Sequence, residues 1–155
     1  MKPIGIIHSP FTDIENMPIQ PKGASDVEGT ITLYEPYVKG LDDLDGFSHI
    51  YLLYLFHKAD KVRLSVIPFM DTKERGVFAT RSPLRPNHIG ISIVQLTGIN
   101  GPVLSVRGID VLDGTPLLDI KPYIENFDLV KNSRSGWMMA SHKDVSRKRS
   151  DDRFR

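Results

Sequence analysis

Arg81 and Arg85 stand in the run Gly76 to Gly90, which reads G-V-F-A-T-R-S-P-L-R-P-N-H-I-G. A guanidinium offers a planar fork of donors that grips a carboxylate or phosphate in one orientation. Pro83 and Pro86 fix φ at their own positions and restrict the residue before each, so the loop carries its forks in set directions. Thr80, Ser82, Asn87 and His88 supply further polar groups. The implied chemistry is capture of an anion in one pose. The competing reading is a pair of ordinary surface arginines, or arginines tied to acidic neighbours.

Two further clusters carry chemistry. The stretch Gly108-Ile109-Asp110-Val111-Leu112-Asp113-Gly114-Thr115-Pro116 is followed by Asp119, Lys121, Pro122 and Tyr123. Its carboxylates suit a cation, a ribose hydroxyl or an adenine amine, although Asp113-Gly114 is equally well explained as turn chemistry. The spacing does not match a calcium loop. The third cluster is His57-Lys58, with Gln20, Pro21 and Lys22 in an early loop. A histidine ending an apolar strand is as readily a packing residue as a catalyst.

Absences narrow the possibilities. No two of the twelve glycines are spaced G-x-G, so the dinucleotide fingerprint is missing, as is the phosphate-loop pattern. There is no G-x-S-x-G elbow. With no cysteine, disulfides and thiolate chemistry are excluded. The five histidines form no H-x-H or H-E-x-x-H cluster, and no metal site is expected. A net charge of +1 gives no overall pull toward nucleic acid or a membrane. No apolar run is long enough to span a bilayer, and Met1-Lys2-Pro3 does not open a signal peptide, so a cytoplasmic location is expected.

The elements that must position these residues read as follows. Strands are expected over Pro3–Ser9, Glu28–Tyr34, Val62–Pro68, Ile91–Ile99, Val103–Ile109 and Leu117–Lys121. Phe47–Lys58 is the most apolar segment, and its aromatic content favours strand over helix. A short helix is expected over Glu35–Leu44, with Pro36 in its first turn. Asn100-Gly101 predicts a type I′ hairpin turn, with positive φ at both residues. The class is mainly β: a small antiparallel β-barrel with one or two short helices, in a single domain over 1–141. Residues 142–155 form a basic tail, either a solvated end or an RNA-contacting arm.

Taken together, F-A-T-R-S-P-L-R-P-N-H-I-G, D-G-T-P-L-L-D-I-K-P-Y, H-S-P-F and G-F-S-H-I-Y-L-L-Y-L-F-H resemble the TrmO (TsaA-like) family, from about Ile4 to Trp137. R-S-G-W at Arg134–Trp137 resembles shorter members. The resemblance implies an S-adenosylmethionine-dependent methyltransferase acting on N6 of N6-threonylcarbamoyladenosine at position 37, in the tRNA anticodon loop. It also implies a homodimer with the cofactor near the subunit interface. By motif position, the implied cofactor contacts are Gln20, Pro21, Lys22, His57, Lys58, Arg81, Ile91, Gly108, Ile109, Asp110, Val111 and Leu112. Arg85, Asn87 and Lys121 are the candidate substrate contacts, with Arg85 and Asn87 alternatively locking the loop. Two departures stand out: His88 replaces the family's usual proline, and longer bacterial members carry a C-terminal extension that this sequence lacks.

On that reading Arg81 holds either the methionyl carboxylate of the cofactor or the threonyl carboxylate of the substrate. The acceptor nitrogen is urea-like and a poor nucleophile until its proton leaves, so a general base is expected. Asp113, Asp119, His57 and Tyr123 are the candidates, and the sequence does not choose among them. Two rivals share the same motifs. One is a non-catalytic barrel that binds S-adenosylmethionine or RNA; the other is a methyltransferase for another small acceptor.

Overall fold

The computed structural model describes residues 1–15, 17, 24–138 and 149. Eight strands run in chain order: β1 Gly5–His8, β2 Glu28–Leu33, β3 His49–Leu55, β4 Ser65–Val66, β5 Arg75–Gly76, β6 Ile89–Asn100, β7 Val103–Arg107 and β8 Thr115–Pro122. Six of them close a barrel in the order β1-β2-β7-β6-β3-β8, every neighbouring pair antiparallel. Closure leaves no free edge in the main sheet.

The barrel forms because inward parity is apolar along its strands, Ser92 on β6 and Thr115 on β8 excepted. Ile7 on β1, Ile31 on β2, Ile50 and Leu52 on β3, Leu104 on β7 and Leu117 on β8 are completely buried. Burying each such side chain is worth about 1.5–3 kcal/mol, which makes this interior the main source of stability. The apolar stretch that periodicity could not assign is strand: β3 buries Ile50, Leu52 and Tyr54 while the alternate positions face out. Bulges between Leu53 and Tyr54 and between Leu96 and Gly98 shift the register, the local bending that a small barrel needs to close.

Several expected elements differ. Glu35–Leu41 is a 3-10 helix rather than an α-helix, followed by a short 3-10 turn at Leu44–Gly46. The only α-helix among the described residues is the single turn α1, Glu125–Asp128. Of the strand expected over Val62–Pro68, only Ser65–Val66 pairs, with Arg75–Gly76. The β6–β7 hairpin closes through Gly101 and Pro102, since Asn100 already pairs with Val103. Gly101 has φ 58, and proline cannot take positive φ, so the turn is not type I′. The basic tail lies outside the described residues apart from Arg149.

The excursion from β3 to β6 contains the arginine loop and has its own small core of Val66, Val77 and Leu84, with Phe69 packed against it. It rejoins the barrel at Gly90, which pairs with Tyr54. A Cβ at Gly90 would lie 2.3 Å from Tyr54 Cε2 and 2.8 Å from Phe56 Cζ. Those rings pack edge to face, 5.5 Å between centroids, so neither can simply swing away. Gly90→Ala is therefore expected to cost about 1–3 kcal/mol through overpacking. A thermal melt checks this, and an unchanged midpoint contradicts the close approach.

Candidate active site

Antiparallel pairing all round the barrel decides which loops share an end. β1, β3 and β7 finish at the end where β2, β6 and β8 begin. That end therefore carries the early loop after His8, the β3–β6 excursion with His57, Lys58, Arg81 and Arg85, and the β7–β8 turn with Gly108 to Leu112. The opposite end carries the Glu35–Leu41 helix, the Gly101-Pro102 turn and the segment after Pro122.

Hydrogen bonds fasten these loops together. Asp113 N–H donates to the Phe11 carbonyl (2.7 Å) and Gly114 N–H to the Ile7 carbonyl (2.9 Å). In return, Ser9 N–H donates to Asp113 Oδ1 (3.0 Å), and the Ser9 hydroxyl donates to the Val111 carbonyl. The H-S-P-F and D-G-T-P motifs are thus two halves of one joint, from which the early loop departs. Gln20, Pro21 and Lys22 lie outside the described residues. Gly108 begins the β7–β8 turn at φ 88, a conformation that favours glycine.

The arginine loop is rigid, as its prolines imply. Thr80 Oγ donates to the Val77 carbonyl (2.8 Å), and Leu84 N–H donates to Ser82 Oγ (3.2 Å). Arg85 turns inward and donates Nη1 to the carbonyls of Thr80 (3.0 Å) and Ser82 (3.3 Å). It is a lock for the loop. His88 Nδ1 lies 2.8 Å from the Pro83 carbonyl, and His88 has φ 51, which proline cannot adopt. The departure from the family's proline therefore comes with a backbone course that only a non-proline residue allows. Trp137 of the R-S-G-W motif donates Nε1–H to the Ala79 carbonyl (2.8 Å), and the Arg75 guanidinium sits 5.6 Å from its ring centroid. Arg75 is itself held by Asp71 at 2.6 Å.

Arg81 and Asn87 are exposed, as are Ile91 on the outer face of β6 and Lys58 just beyond β3. His57 is partly buried, and that burial, with Lys58 beside it, lowers its pKa. The charge of Arg81 acts on both Asp110 and Tyr54. Asp110 Oδ1 accepts a short hydrogen bond from Ser92 Oγ (2.6 Å), and Ser92 Oγ lies 2.9 Å from the Tyr54 hydroxyl. Burial pushes the Asp110 carboxyl up to about 7, against the opposing pull of the Ser92 hydrogen bond, its own backbone N–H and Arg81.

The other candidates sit elsewhere. Asp113 belongs to the joint just described and faces His8 Nδ1 at 3.6 Å. Asp119 accepts Ile120 N–H and pairs with Lys121 at 3.1 Å on the outside of β8. Tyr123 is at the opposite end, its N–H on the His49 carbonyl (3.0 Å) and its ring against His49 and Tyr51. The structure does not bring Asp119, Lys121 or Tyr123 to the end that holds Arg81 and Asp110.

Sequence reasoning passed over Tyr54 and Ser92. Ser92 was accessible by parity: it falls between Gly90 and Val94 on the inward face of β6, where a lone hydroxyl must find a partner.

A closed antiparallel barrel with stiff, charged loops gathered at one end defines a β-barrel ligand-binding domain, not a doubly wound nucleotide fold. A family model described as tRNA-methyltransferase O N-terminal domain matches residues 6–129, and the chain belongs to that family. A "Probable S-adenosyl-L-methionine-binding protein" of Pyrococcus abyssi is 49% identical over 153 residues, covering 99% of this chain and 83% of that protein. The crystal structure of TrmO from Pseudomonas aeruginosa matches with a TM-score of 0.74 and 42% identity, over 90% of this chain and 62% of that one. A tRNA (adenine(37)-N6)-methyltransferase of Mus musculus is 35% identical over 138 residues, covering 84% of this chain and 32% of that protein. The chain thus spans less than two thirds of the last two proteins.

Proposed function

We propose that this protein is an S-adenosylmethionine-dependent methyltransferase that modifies N6 of threonylcarbamoyladenosine at position 37 of tRNA, in the cytoplasm. The observation that carries the reading is the gathering of His57-Lys58, Arg81 and Gly108–Leu112 at one barrel end, in a chain of this family. The name of the Pyrococcus relative supports the cofactor, and that of the mouse relative supports the tRNA substrate.

The groups present fit such a cofactor. Arg81 and Lys58 offer positive charge for a carboxylate, while Asp110 and the backbone of Gly108 to Leu112 suit a ribose or an adenine edge. Ile91 near the start of β6 and Phe78 in the β3–β6 excursion add exposed apolar surface at this end. When bound, the cofactor supplies a methyl group made electrophilic by a sulfonium. The chain's own work is to hold the acceptor nitrogen in line with that methyl, a matter of orientation more than of covalent chemistry. A loop stiffened by Pro83, Pro86 and the Arg85 lock serves that end, because its charges do not have to be ordered when ligands arrive. Asn87, exposed in the loop, is the candidate RNA contact, with Arg81 as partner for a carboxylate of substrate or cofactor. No metal is part of this reading.

The protein acts as a homodimer through the apolar face beside the site. Phe78 is 74% exposed, and Leu64, Val62, Ile91 and Ile93 are also open to solvent. A second copy is the occupant that places apolar cover next to both cofactor sites at once. Phe78→Asp is expected to leave a monomer by light scattering, whereas an unchanged mass rules out this face.

Incubation with methyl-labelled cofactor and an anticodon stem-loop tests the activity. Label is expected on the threonylcarbamoyl stem-loop and not on the unmodified one. Cofactor binding without transfer would make the protein a binding module, and transfer to a free small molecule would move the substrate class.

A further inference from the structure

We propose that Asp110 accepts the proton released from the acceptor nitrogen, and that Ser92 and Tyr54 are its positioning residues, joined to it in a buried hydroxyl relay. The inference rests on the transferase reading above.

The geometry assigns the donors. Ser92 has one hydroxyl hydrogen, and it is committed to Asp110 Oδ1 at 2.6 Å. The 2.9 Å contact between Ser92 and Tyr54 must then be donated by the phenol. The chain runs Tyr54 O–H to Ser92 O–H to carboxylate, and it is complete only when Asp110 is ionised. Ser92 and Tyr54 are 2% and 5% exposed, so water does not compete for these bonds. The Tyr54 ring packs edge to face on Phe56, over the space that Gly90 leaves open, and Asp110 itself remains partly exposed at the barrel end that carries Arg81.

A relay of this kind has no structural necessity. A core needs neither a carboxyl nor two hydroxyls, and apolar side chains of the same shape would stabilise it as well or better. Its effect is to fix a carboxylate in orientation while burial keeps it basic. The proton-acceptor role follows from placement: Asp110 is the carboxylate that the relay orients, partly open at the barrel end that carries Arg81 and the other loops of the site. A raised pKa suits the task. The other candidates are less suited. Asp113 is engaged in the Ser9 joint, and Asp119 and Tyr123 lie away from this end. His57 remains a rival. In the step itself, a nitrogen–carbon bond forms and the carbon–sulfur bond breaks, its electron pair staying on sulfur. The nitrogen's proton passes to an oxygen of Asp110.

Among the described residues, the charged and titratable groups acting on Asp110 are Arg81, from the loop, and the Tyr54 phenol, from β3. The sign of the pH dependence follows. An Asp110 whose folded pKa is raised from 3.8 to about 7 binds its proton more tightly folded than unfolded. Its contribution to stability therefore falls as pH rises from about 4 to about 7, and is level above that. Ser92→Ala removes a bond that favours the ionised form, so the fall extends to higher pH.

Two readouts test this. In the ligand-free protein, melting temperatures across pH 4–9 are compared for wild type, Asp110→Asn, Ser92→Ala and Tyr54→Phe. Relative to Asp110→Asn, wild type is expected to lose stability up to about pH 7, and Ser92→Ala to continue losing it above that pH. In the transfer assay, the acidic limb of kcat is expected to move to higher pH in Ser92→Ala and, less, in Tyr54→Phe. Asp110→Asn should lose about 100-fold or more in kcat at saturating cofactor, beyond any change in cofactor affinity read by calorimetry. His57→Gln should keep the wild-type limb. Limbs and melts unmoved by Ser92→Ala in an active protein overturn the relay and leave the functional reading standing. Asp110→Asn that loses affinity but not kcat makes Asp110 a cofactor contact only. A wild-type protein inert toward every threonylcarbamoyl acceptor overturns the functional reading, and the proton-acceptor role with it.

Discussion

Every neighbouring pair in the barrel is antiparallel, and the barrel is closed. Under that constraint each connection must return at the end it left, so loops far apart in sequence are forced into the same rim. The joint between Ser9 and Asp113, the β3–β6 excursion and the β7–β8 turn meet for that reason alone. The apolar interior of Ile7, Ile31, Ile50, Leu52, Leu104 and Leu117 holds the register that makes the meeting reproducible. A slip of one residue in β6 would turn Ser92 outward and Ile91 inward, and Asp110 would lose its partner.

Rigidity at the rim comes from backbone and side-chain bonds more than from burial. Arg85 spends its guanidinium on two carbonyls, Trp137 ties the C-terminal segment to Ala79, and His88 closes on Pro83. The two arginines that look alike in sequence thus divide the work: Arg85 shapes the loop, and Arg81 sends its field toward Asp110 and Tyr54. The barrel interior meets the rim where Ile109 and Val111 pack into the core and where Tyr54 and Ser92 reach Asp110.

Much of this was legible in the sequence. Alternating apolar residues marked the barrel strands, and the prolines around Arg81 and Arg85 announced a stiff loop. The 3-10 geometry at Glu35–Leu41 was not legible, because Val38, Leu41 and Leu44 fit a helical face of either kind, and Gly40 gives no preference for the longer form. The Gly101-Pro102 turn departs from the Asn-Gly expectation because the pairing of Asn100 with Val103 puts Pro102 at the second turn position, where it cannot take positive φ. At the site, the sequence offered four candidates for a base. It could not separate them, since which end of β8 a residue occupies depends on a pairing partner far away in the chain. Asp119 and Tyr123 follow Asp113 closely in sequence, but the direction of β8 takes them to the other end of the barrel. Ser92 was hidden in the opposite sense, as a small polar residue inside a run that reads simply as strand.

The central claim is that ligand chemistry happens at the rim formed by Ser9–Phe11, His57-Lys58, Arg81 and Gly108–Asp113. The opposite end, where Tyr37, Asp42, Asp43, Asp119 and Ile120 line a second cavity, is the natural alternative. Titrating S-adenosylmethionine into isotope-labelled protein and following backbone amide resonances separates the two directly. The shifts are expected at the first rim, with the Ser92 amide among the most strongly affected and Asp42, Asp43 and Asp119 unmoved. Shifts concentrated around Asp42, Asp43 and Asp119, with Arg81 and Asp110 silent, would contradict the account.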